Sequence, residues 1–214
     1  MKYKLIKNLK KIGTFFLSLV MLFSSMFGEM VGRSVPMVNV SANEGTATVG
    51  MSQVMSSNKI STLDRPASEG LWKITANGKG TFCLNSGKSM CNGDKVKYKT
   101  HNAVTYKNQG IAKALTYYYW KSSKNKKAFA LTQAYIWACG AGVSKQTTVY
   151  QAGKNLDSKF SNSDAKDFCK KISQTDPKGT IYYYTVTHCV KGKNHDKHQM
   201  LYSMTKALPA VKTD

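Results

Sequence analysis

The chain has 214 residues, a formal net charge of +21 and five cysteines. Its length is sufficient for one domain with its own hydrophobic core. The lysines are scattered along the chain and are not gathered with aromatic residues into one stripe, which argues against a nucleic-acid-binding protein. Such a surface suits contact with anionic cell-wall or matrix polymers better.

The first 42 residues have the features of a secretory signal peptide. Residues 1–11 are basic and residues 12–28 are largely apolar, and we expect cleavage after Ala42. An uncleaved membrane anchor is the alternative, because the apolar run is just long enough to cross a bilayer. Both alternatives predict export, so the protein is expected to be secreted or on the cell surface. Removing residues 1–42 takes away six cationic side chains and one carboxylate, which leaves a charge of +16.

The remaining chain divides into three parts. Residues 43–69 are rich in serine, threonine, asparagine and glycine and have few aromatic residues, which predicts a flexible leader. The folded domain is predicted over 70–207, and residues 208–214 are expected to form a C-terminal tail.

A β-hairpin opens the domain. Its strands are predicted over 71–76 and 80–84, because the Asn77-Gly78 pair between them favours a tight turn. Side chains alternate along a strand, so Phe82 and Cys83 are expected on opposite faces of the second strand.

Three helices are predicted in the middle of the domain. Apolar residues recur at helical spacing over 111–119. A second helix runs over 126–139 and is expected to end at Gly140 and Gly142. A third helix follows the capping residues at 161–164.

Further strands are predicted on both sides of these helices, over 96–100, 181–190 and 200–204. Strands that flank a helical middle indicate an α+β fold. We therefore expect an antiparallel sheet or sandwich with an inserted helical subdomain.

Gln133 is unusual for its position in the second helix. It falls on one helical stripe with Phe129, Ile136 and Trp137, so a neutral amide interrupts a large apolar face. A buried carboxamide without partners costs about 1–3 kcal/mol. Gln133 is therefore expected to be hydrogen-bonded, half exposed or chemically changed.

The number of cysteines is odd, although disulfides in an exported protein use cysteines in pairs. One thiol therefore needs another role. We predict that the other four form two disulfides, with the pairing left open; they are Cys91, Cys139, Cys169 and Cys189.

Two motifs resemble a known family. A strand that contains Phe82-Cys83-Leu84 is followed fifty residues later by Thr132-Gln133-Ala134-Tyr135-Ile136-Trp137. This arrangement closely resembles the thioester domain, or TQxA domain, of Gram-positive cell-surface adhesins. The likeness is clear over residues 71–142 and weak beyond them.

The resemblance implies that the Cys83 sulfur is bonded to the side-chain carbonyl of Gln133. This thioester would bridge the sheet and the helical subdomain and would acylate amines, such as lysine, on a host-surface or extracellular-matrix protein. It would act once per molecule without a cofactor, so the protein would not be an enzyme. The bond needs cover from water, for which Phe82, Phe129, Thr132, Trp137 and the aromatic run 117–120 are the candidates.

Several alternatives remain. Cys91, eight residues from Cys83, is a substitute for the reactive thiol. An exported cysteine peptidase or amidase is a second functional class, although Cys83 lies within a strand and not before a helix. A noncovalent binding module stabilised by disulfides is a third. The spacing of His195 and His198, near His188 and Cys189, permits zinc, but a solvated loop is favoured and no metal is expected.

Overall fold

Six antiparallel strands close into a barrel in this computed structural model. In chain order they are β1 (Gly45–Met55), β2 (Leu71–Ala76), β3 (Lys79–Cys83), β4 (Lys95–Asn102), β5 (Thr180–His188) and β6 (Leu201–Thr205). Their order around the barrel is β1-β2-β3-β6-β5-β4, and β4 pairs with β1 to close it.

The structure describes residues 44–66, 68, 70–88, 90–190 and 199–205. The predicted signal peptide over 1–42 and the predicted tail over 208–214 lie outside these ranges. Within them, no helix combines the length and the apolar character needed to cross a bilayer.

The predicted α+β class and the antiparallel pairing are confirmed. The predicted hairpin is also confirmed, since β2 pairs with β3 and Asn77 and Gly78 both have positive φ angles, 48° and 76°. The sheet differs from the prediction in one respect, because it closes into a barrel and does not form an open sheet or a sandwich.

Closure depends on β1, which lies inside the segment predicted to be a flexible leader. That prediction is wrong for Gly45–Met55, because this strand pairs with β2 on one side and β4 on the other. Ala47 and Val49 point into the core, and less buried residues alternate with them. The core-facing side chains of this half of the strand are small, so its hydrophobic alternation is weak in the sequence.

Four helices are inserted between β4 and β5: α1 (Gln109–Thr116), α2 (Lys126–Ala141), α3 (Lys145–Leu156) and α4 (Asn162–Ser173). A π-helical turn, Tyr117–Lys121, follows α1. Three of the helices were predicted, and the capping box of α4 is formed by Ser161 and Asp164. Helix α3 was not predicted; it is capped by Ser144 and is rich in polar and β-branched residues.

Helix α2 is buried on all sides. Every residue from Ala128 to Ala138 is shielded from solvent, so the helix forms a central element and not an amphipathic cover. It ends at Gly142, whose φ is 69°, and the prediction that Gly140 also ends it is wrong. A Cβ atom at Gly140 would lie 2.9 Å from the Leu84 carbonyl oxygen, so this glycine permits close contact with the chain just after β3.

Candidate functional site

Cys83 and Gln133 meet where β3 lies against α2. The backbone N–H of Cys83 donates to Gln133 Oε1 at 2.9 Å, and Gln133 Nε2 donates to the Cys83 carbonyl oxygen at 2.7 Å. β2 pairs with β3 only as far as Thr81. At Cys83, two residues beyond Thr81, the Gln133 carboxamide forms hydrogen bonds with the backbone N–H and carbonyl oxygen of β3 in place of β2. These bonds fix the carbonyl carbon of Gln133 beside the Cys83 backbone.

Gln133 is only 1 % exposed, and both polar atoms of its side chain have partners. Of the three states expected from the sequence, this structure contains the hydrogen-bonded one. Burial of the amide therefore does not by itself require a chemical change.

The Cys83 side chain is 6 % exposed. Burial raises the pKa of its thiol to about 12, against a smaller opposing effect of the Arg65 guanidinium. The folded protein therefore holds this thiol in its neutral, protonated form at physiological pH.

Arg65 is a functional candidate that was not predicted from the sequence. Its guanidinium carbon lies 4.7 Å from the centroid of the Trp137 ring, and its Nη2 donates to the carbonyl oxygen of Gly70. Arg65 lies in the segment predicted to be a flexible leader, so it was not expected to contribute to a site. The available signal was its residue type, since it is the only arginine beyond residue 42 of a lysine-rich chain.

The loop before Arg65 is docked on α3. An isolated β-bridge joins Ile60 to Arg65 and closes the loop around a short 3-10 helix, Ser61–Leu63. The Thr62 and Thr148 hydroxyls are hydrogen-bonded at 2.9 Å, and Gln151 Nε2 donates to Ser61 Oγ at 2.7 Å. Arg65 is thus positioned by a hydrogen-bonded loop and not by a free tail.

Aromatic rings cover one side of the site. The Phe82 ring stacks on Phe129 with centroids 5.1 Å apart and meets the edge of Tyr118 at 4.8 Å. Phe82 and Phe129, two of the residues predicted to shield the bond, are buried.

The other two predicted supporting residues, Thr132 and Trp137, are also buried. Thr132 Oγ1 and Trp137 Nε1 have no hydrogen-bond partner within the described part of the chain. An unsatisfied buried polar group costs about 1–3 kcal/mol, so packing alone does not account for the burial of either atom.

A small cavity of about 60 Å³ adjoins the thiol. Its walls include Cys83, Trp137, Arg65 and Met90. The described residues that line it include no histidine and no carboxylate. A wider pocket of about 770 Å³ shares five of these walls, namely Met51, Arg65, Trp72, Lys88 and Met90. The two spaces therefore adjoin, and Cys83 lies at the inner end.

The other cysteines fall into two neighbouring pairs, although no disulfide bond is present among the described residues. The sulfur atoms of Cys91 and Cys189 and a carboxylate oxygen of Asp94 lie within 4.8 Å of one another. Burial raises the pKa of the Cys139 and Cys169 thiols to about 11 each, and the charge of Cys139 adds to the effect on Cys169. The two predicted disulfides remain a prediction.

Asp94 holds Cys91 and Cys189 near each other. Its two carboxylate oxygens accept hydrogen bonds from the backbone N–H groups of Cys91, at 2.8 Å, and Val190, at 3.0 Å. These bonds bring the loop after β3 and the end of β5 together. His195 and His198 of the zinc alternative lie outside the described residues.

Comparisons with models of protein families, with curated proteins and with solved structures find no match for this chain. The resemblance to thioester domains therefore rests on the residues around Cys83 and Gln133. Function has to be inferred from the geometry of this site.

Proposed function

We propose that Cys83 and Gln133 form an internal thioester and that the exported domain uses it to acylate amines of a host-surface or matrix protein. The observation that carries this proposal is the pair of hydrogen bonds between the Gln133 carboxamide and the Cys83 backbone. They hold the side-chain carbonyl of Gln133 against the backbone of Cys83, the residue that has the thiol, and both residues are nearly closed to water.

The bond would form by attack of Cys83 Sγ on the carbonyl carbon of Gln133. A C–S bond forms and the C–N bond breaks, and ammonia leaves with the proton of the thiol. The Cys83 N–H already points at Oε1 and would stabilise the negative charge that develops on this oxygen. The Arg65 guanidinium favours the ionised sulfur and so opposes part of the effect of burial.

Acyl transfer reverses these roles. A neutral amine attacks the thioester carbonyl, the new C–N bond forms, and Cys83 sulfur leaves and regains a proton. The product is an amide that links the side chain of residue 133 to the partner. An ordinary glutamine amide would not react in this way, because a thioester is a far better electrophile.

A cysteine peptidase or amidase is disfavoured by the surroundings of the thiol. A catalytic cysteine needs a lowered pKa or an adjacent base. Burial instead raises the pKa of Cys83 to about 12, and no described histidine lines its cavity.

A noncovalent binding module is the second candidate function. It is favoured by the satisfied hydrogen bonds of Gln133, which allow the amide to be buried without any cross-link. In that case Gln133 only joins β3 to α2.

The intact mass of the mature protein separates these functions. We expect the parent to be one ammonia lighter than its sequence after a phosphine has reduced all disulfides, and to gain one methylamine when challenged. Cys83→Ala and Gln133→Ala should have their full mass, whereas Cys91→Ala should keep the deficit. A parent of full mass that takes up no methylamine would refute the thioester and leave the noncovalent module.

A further inference from the structure

Exposed apolar side chains are concentrated at one pocket. Among the described residues, the exposed large hydrophobic side chains are Trp72, at 41 %, Val190, at 51 %, and Val104, at 60 %. Trp72 and Val190 both line the 770 Å³ pocket, whereas Val104 does not. Clustered exposed apolar groups mark binding sites more often than scattered ones do.

The pocket has the size of a ligand site. A volume of about 770 Å³ lies within the range of small-molecule pockets, about 300–1,000 Å³. Met51 and Met90 add adaptable apolar surface, and Gln53 and Asn92 add polar groups.

The pocket adjoins the small cavity beside Cys83. Trp72, Met51 and Met90 line both this pocket and the small cavity that contains the Cys83 thiol. A group bound against Trp72 is therefore next to the small cavity beside Cys83, whose sulfur would hold the acyl carbon that the amine attacks. In the proposed thioester the acyl carbon is one bond from that sulfur.

We infer that this pocket is the specificity subsite for the amine, and that it selects an amine whose neighbouring group is apolar or aromatic. On a protein partner, the target would be a lysine with an aromatic or aliphatic side chain beside it. This inference rests on the proposed function. Trp72 acts by positioning the amine, because binding its neighbour in the pocket converts the attack into a step within one complex.

Rates of amine uptake test the inference. The mature protein is treated with methylamine, ethanolamine or 2-phenylethylamine at equal concentrations of neutral amine, and uptake is followed by intact mass. We expect 2-phenylethylamine to react about tenfold faster than the two small amines, a factor equivalent to about 1.4 kcal/mol. The preference is the ratio of the 2-phenylethylamine rate to the methylamine rate within one variant. Trp72→Ala should bring this ratio close to one, and Val190→Ala should reduce it.

Val104→Ala is the matched control for Val190→Ala, because it truncates another exposed valine that does not line the pocket. It should keep the full preference. Equal rates for all three amines in the parent, or a preference that survives Trp72→Ala, would overturn the subsite and leave the thioester intact. A parent that takes up no amine at all would overturn both the subsite and the proposed function.

Discussion

Raising the pH should destabilise the form of the protein that has a free Cys83 thiol. Burial raises the pKa of this thiol from 9.0 to about 12 in the folded state. In the unfolded chain the thiol ionises near its ordinary value. Between these two values the unfolded state has lost a proton that the folded state retains, so the free energy of unfolding falls as the pH rises from 9 towards 12.

The expected size follows from the two pKa values. Between pH 8 and pH 10, linkage predicts a loss of about 1–2 kcal/mol from this group alone. The measurement is urea unfolding of methylamine-treated protein, in which cleavage of the proposed thioester would leave Cys83 as a free thiol, with Cys83→Ala as the reference. Other thiols and the tyrosines titrate in both proteins, so their contributions cancel in the difference.

The untreated protein provides a second comparison. A thioester sulfur has no proton to lose, so the pH dependence of the untreated protein should follow that of Cys83→Ala. If the difference between the treated protein and Cys83→Ala stayed constant from pH 8 to pH 10, the thiol would be ionising as an exposed group does. That result would refute the burial on which the site depends.

Two further predictions concern charge and covalent pairing. Arg65→Gln should slow methylamine uptake about tenfold, because it removes the cation that favours the departing sulfur, whereas Arg65→Lys should keep most of the rate; equal rates in a mass time course would rule out this role. Peptide mapping without reduction should find Cys91 linked to Cys189 and Cys139 linked to Cys169, the pairs that are neighbours in the fold. Any exchange of partners between these pairs would contradict the second prediction.

The parts of the fold that depend on local chemistry could be predicted. The Asn77-Gly78 turn and the capping box at Ser161 act over a few residues, so the sequence contains the whole signal. Barrel closure depends on the pairing of β1 with β4, about fifty residues later in the chain. The weakly apolar pattern of β1 gives no sign of that partner. Helix α3 could not be predicted for a similar reason, because the neighbouring helices decide which of its residues are buried.

The site could be predicted only in part. The motif residues identified Cys83 and Gln133, and the structure brings them into contact. The position of Arg65 could not be predicted, because it results from a loop that docks on α3 through side chains nearly ninety residues away. The sequence left three alternatives open for Gln133. It could not single out the hydrogen-bonded state, because the partner of Gln133 is the backbone of a distant strand.

The pairing of β3 with β6 sets an order of assembly for the site. Phe82 lies opposite Tyr202 and Cys83 opposite Leu201, and the Leu84 N–H donates to the Met200 carbonyl oxygen at 2.8 Å. More than a hundred residues separate these partners, and β6 is the last strand of the barrel. A chain that emerges from its N-terminus therefore exposes Cys83 early but cannot fix it until nearly all of the domain has been made. The proposed thioester could therefore form only in a finished fold, so a nascent chain would have no thioester that could react with an unrelated amine.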